Sequence, residues 1–111
     1  MRSQQATSIL PDPNFYDTLG WVQFKSRNYG EALEALERAR KGLETNRDST
    51  VWQEVNFHLA MTYLRLGKNG EARKAFEQVV AYSKHATSQD KYVRQAKEQL
   101  ATLQAQLTPV P

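Results

Sequence analysis

At 111 residues with 40% hydrophobic content, the chain has material for one domain with a modest core. It has no cysteine, which excludes disulfides and thiolate metal sites, and no apolar run near the roughly 20 residues that a membrane-spanning helix needs. The net charge of +3 is uneven: residues 1–64 carry 7 basic and 8 acidic groups, and residues 65–97 carry 8 and 3, so a polyanion would be steered to the later part.

The polar opening Met1-Arg2-Ser3-Gln4-Gln5 lacks the apolar stretch of a signal peptide, and residues 1–12 read as a flexible segment or the stump of a preceding helix ending at Leu10. Pro13 suits the first turn of a helix over about Asn14 to Ser26, since the missing N–H would have no intrahelical partner there. Tyr16, Leu19 and Gly20 form its packing stripe. Arg27-Asn28 is a turn. A second helix, about Tyr29 to Leu43, puts Ala32, Leu33, Leu36, Ala39 and Leu43 on one side, and the polar run 44–50 ends it.

A third helix, about Val51 to Leu66, has Val55, Leu59, Ala60, Tyr63 and Leu66 on its packing face, and Gly67 closes it. The fourth, about Gly70 to Ser83, buries Ala72, Ala75, Phe76 and Val79. A fifth starts after Ser88, a candidate N-cap, and runs to about Leu107 before the tail 108–111. Its Val93, Ala96, Leu100, Leu103 and Leu107 are spaced 3, 4, 3, 4, the seam of a capping helix or of a short coiled coil that would dimerise the chain.

These elements repeat. The offset 72 − 32 = 40 places Gly30-Glu31-Ala32 on Gly70-Glu71-Ala72, Leu19 on Leu59, Gly20 on Ala60 and Leu36 on Phe76. Leu19-Gly20, Tyr29, Ala32 and Ala39, then Leu59-Ala60, Tyr63, Gly67, Glu71-Ala72 and Phe76, resemble the signature of tetratricopeptide repeats over residues 13–83. The 40-residue spacing is about six longer than that family's period, which also leaves a HEAT-like reading open. The resemblance implies an all-α, α-α superhelix over residues 13–106, with repeats at about 13–46 and 52–84 and a capping helix at 88–107. Pro11-Asp12-Pro13 with Asp17-Thr18-Leu19-Gly20-Trp21 looks like the join between repeats in long bacterial repeat proteins, including envelope ones. This predicts the C-terminal part of a longer array.

In tetratricopeptide folds the first helix of each repeat lines a concave groove. The resemblance thus implies a partner-binding stripe of Asp17, Trp21, Phe24 and Lys25, repeated as Phe57, Met61, Leu64 and Arg65. Asp17 and Trp21, with Phe57 and Met61, stand where some members place a polar carboxylate clamp, so an apolar peptide or amphipathic helix is the expected ligand. Otherwise the stripe is consumed by self-packing or homodimerisation. Weak nucleic-acid binding through residues 65–97 is the third reading.

No phosphate-cradling glycine run, nucleophile elbow or metal-ligand cluster is legible, so neither an enzyme nor a cofactor is expected. His58 has no carboxylate or histidine at i+3 or i+4 and falls between the stripes, which predicts a surface or groove-edge role; His85 lies in a loop.

Overall fold

The computed structural model describes residues 12–45, 50–81 and 91–107, with side chains through residue 105. The expected Ser88 cap, Leu10, Ser83, His85, the tail 108–111 and the Leu107 side chain lie outside the described residues. Five helices follow one another: α1 Pro13–Lys25, α2 Tyr29–Lys41, α3 Thr50–Arg65, α4 Asn69–Ala81 and α5 Lys91–Leu107, with no strand among the described residues. None is long and apolar enough to cross a membrane.

Each helix begins or ends for a local reason. Asp12 caps α1, its Oδ1 accepting from the Asn14 N–H at 2.8 Å, and Pro13 occupies the first turn. At the other end the Arg27 N–H donates to the Phe24 carbonyl and the Asn28 N–H to that of Gln23. The same pair closes α3, from Gly67 to Leu64 and from Lys68 to Tyr63. This is the Schellman pattern, whose pivot needs a left-handed backbone. Gly67 supplies it at φ 76°, and Arg27 adopts it at φ 66° despite its Cβ.

The two hairpins, α1/α2 and α3/α4, pack side by side, with α5 against α4. Contacts of α1 with α3 and of α3 with α5 set the odd-numbered helices next to one another, so the fold is a two-layer α-α helical repeat. Its core runs from Leu36, Ala39 and Leu43 through Trp52, Val55 and Leu59 to Phe76 and Val79, and ends on Val93, Ala96 and Leu103 of α5. At Gly20 the first hairpin closes so tightly that a Cβ would lie 2.5 Å from Leu36 Cγ.

Two residues expected on packing faces are outside the core. Leu19 is 37% exposed because no element among the described residues covers its side of α1, and Leu66 is exposed because α3 has already ended at Arg65.

Candidate protein-binding face

On α1, Trp21 and Phe24 share a helix face and stack, with ring centroids 4.4 Å apart at 10°. Trp21 also stacks on His58 of α3, at 3.9 Å and 17°. Two cations lie over the rings: Lys25 Nζ is 5.9 Å from the Trp21 ring, and the Arg65 guanidinium is 5.7 Å from that of Phe24. His58 and Arg65 are seven residues apart on α3, two helical turns, so Met61 lies between them on the same face, with Leu64 beside Arg65. One wall therefore combines Trp21, Phe24 and Lys25 of the first repeat with Met61, Leu64 and Arg65 of the second. Lys25 and Arg65 are exposed, and the other four are half-buried.

Two expected members of that wall are elsewhere. Phe57 is turned into the core, packing edge-on against Phe76 and tilted against Tyr92, because α5 lies over this side of α3. Asp17 is buried beneath the wall, its Oδ1 2.8 Å from His58 Nδ1. An ionised carboxylate only accepts, so the imidazole donates from Nδ1. His58 is accordingly no surface residue: it ties the first helices of the two repeats together under the Trp21 ring.

Glu54, one turn before His58, completes the cluster. Burial pushes its carboxyl above the ordinary carboxylate range, and a hydrogen bond with Asp17 and that residue's charge add to the effect, while His58 and Lys91 oppose it. Glu54 therefore holds its proton to a higher pH than an exposed carboxyl does. The donor atoms of Asp17, Glu54 and His58 lie within 4.8 Å of one another, a spacing that a divalent cation also accepts. Sequence reasoning missed the cluster because it looked forward from His58 along the helix, whereas Glu54 is at i−4 and Asp17 is 41 residues away. It also missed Tyr92, whose ring stands 6.1 Å edge-on to His58, at the border of the wall.

Cations over aromatic rings thus lie above a buried polar tie at the junction of the two repeats. Among known proteins, the family model described as anaphase-promoting complex subunit 5 matches residues 20–107. No curated protein and no solved structure gives a significant match.

Proposed function

The chain belongs to the anaphase-promoting complex subunit 5 family, and from that premise we propose that it is a non-enzymatic scaffold that binds a protein partner on the Trp21 wall. The family is named for a subunit of a complex, which supports a role in holding proteins together. The ligand that fits is an amphipathic helix or extended peptide with an apolar anchor and acidic flanks. Its anchor would cover Trp21, Phe24, Met61 and Leu64, and its carboxylates would meet Lys25 and Arg65.

The observation that carries this reading is the half-exposed ring stack bridging the two repeats, with a cation at each ring. Aromatic residues and arginine are the side chains that most often dominate binding energy. The family description does not extend to the bacterial-envelope expectation, which gains no support from it.

The test is an NMR titration of the full chain with a panel of amphipathic helical peptides bearing acidic flanks. Binding should shift Trp21, Phe24, Met61 and Arg65, and Trp21→Ala should weaken it by about 2 kcal/mol or more, the loss typical of a central aromatic anchor. If no peptide moves these resonances, or if only a polyanion binds with steep salt dependence through residues 65–97, the proposal fails.

A further inference from the structure

The repeat register sets one buried side chain apart. Residue 17 stands on α1 where residue 57 stands on α3, and there the second repeat places Phe57 in the core. Position 17 is instead an aspartate, 3% exposed. Its partners break the register too, since the residues 40 positions before Glu54 and His58 are Asn14 and Thr18. Stacking of the hairpins therefore does not call for these three side chains, and a buried charge is kept where it is paired or holds a metal.

The three are arranged as ligands are. Glu54 and His58 are four residues apart on α3, so their side chains share one face, the spacing by which a helix presents two donors to one ion. Asp17 reaches the same point from α1, and the three donor atoms lie within 4.8 Å of one another. Among the described residues this is the one group of three histidine and carboxylate donors so placed. Donors at about 2.0–2.1 Å from a tetrahedral ion stand about 3.3 Å from each other. The 2.8 Å between Asp17 Oδ1 and His58 Nδ1 has to open by only about half an ångström, within reach of a carboxylate rotation. The Trp21 ring, stacked on His58 at 3.9 Å, fixes the imidazole plane, and Tyr92 closes the site edge-on. Half-buried Glu54 leaves an entry path and room for a solvent ligand. Two ionised carboxylates this close repel each other, and a dication between them turns repulsion into attraction.

We propose that Asp17, Glu54 and His58 bind one divalent transition-metal ion of the zinc class, which clips the first helices of the two repeats together beneath the Trp21 wall. The imidazole selects against calcium and magnesium, which take oxygen donors. Coordination uses the Nδ1 lone pair, so the ring carries its proton on Nε2 and any carboxyl proton leaves to solvent. The site goes beyond the partner-binding role and is read with no peptide present, so either can fail without the other.

The probe is Zn²⁺, titrated calorimetrically into the full chain after dialysis against a chelator, with Co²⁺ as the spectroscopic stand-in. One equivalent should bind with a Kd of about 100 μM or tighter, raise the Tm with metal concentration, and give Co²⁺ visible bands that excess Zn²⁺ abolishes. NMR should move the ring nitrogens of His58 and leave those of His85, the chain's other histidine, in place. Glu54→Gln keeps the size of a half-buried side chain while removing a ligand, so it should fold by circular dichroism and bind at least tenfold more weakly. His85→Ala should bind as the wild type does. A Kd weaker than about 100 μM would overturn the proposal. So would binding unchanged in Glu54→Gln, binding lost in His85→Ala, or shifts centred on the His85 ring. Should Glu54→Gln not fold, the ring shifts of the wild type and His85→Ala decide by themselves.

Discussion

Arg27 and Gly67 do the same backbone work with different side chains, which makes the turn a direct measurement of left-handed strain. A non-glycine residue in this conformation costs about 1–2 kcal/mol, partly offset by the entropy a glycine loses on folding. Arg27→Gly should therefore stabilise the chain by about 0.5–1 kcal/mol, and Gly67→Ala should destabilise it by about 1 kcal/mol, both read from urea midpoints. The buried tie has a larger stake. His58→Ala leaves the Asp17 carboxylate buried with its principal donor gone, and loss of one partner of a buried pair costs about 3–5 kcal/mol. A loss below about 1 kcal/mol in chemical denaturation would show that water reaches Asp17 and that the tie is not closed. Glu54 gives the cluster a pH signature. Its folded pKa lies above the ordinary value of 4.5, so the folded chain holds this proton more tightly than the unfolded one. Its contribution is complete below that value and is lost as the pH rises through the raised pKa. Glu54→Gln should flatten this part of the Tm profile and leave the rest in place. Sequence made the Trp21, Phe24 and Arg65 wall legible through its repeat, but the tie beneath it depends on a contact across 41 residues that no local spacing encodes.

At the scale of the helix, the sequence carried the boundaries well because each stop has a chemical cause. Pro13 and Asp12 start α1, the Arg27 and Gly67 pivots end α1 and α3, and all five helices fall within a few residues of their expected spans where described. Orientation was harder. Leu19 and Leu59 read alike as packing residues, yet among the described residues only Leu59 has a repeat beside it. Phe57 was assigned to the ligand face by register with Asp17, but α5 turns that side of α3 into core. Val93, Ala96 and Leu103 of α5 are buried in this chain's own cluster, which is the capping role, so the seam is not free for a coiled coil. Leu103→Ala should then cost about 2–3 kcal/mol in the isolated chain, at the lower end for a buried leucine because it lies near the helix end. The loss should be independent of protein concentration; a concentration-dependent Tm would show that α5 pairs between chains after all.

The molecule as a whole is a stack with unequal ends. In such arrays each unit is stabilised by its neighbours, so a helix with few buried residues opens before one with many. At the C-terminal side α5 closes the core, whereas α1 buries only Asp17 and Gly20 against ten buried residues in α3. Among the described residues the core cluster takes only half-buried Tyr16 from α1, which is held otherwise by the Gly20 contact with Leu36, the Asp17 tie and the half-buried Trp21 stack on His58. Native-state hydrogen exchange should therefore find α1 amides exchanging through a sub-global opening while α3 and α4 amides require global unfolding. Gly20→Ala, whose Cβ would meet Leu36, should accelerate α1 exchange far more than α4 exchange. Equal protection of α1 and α3 in the free chain would mean that the N-terminal repeat is as firmly held as the second.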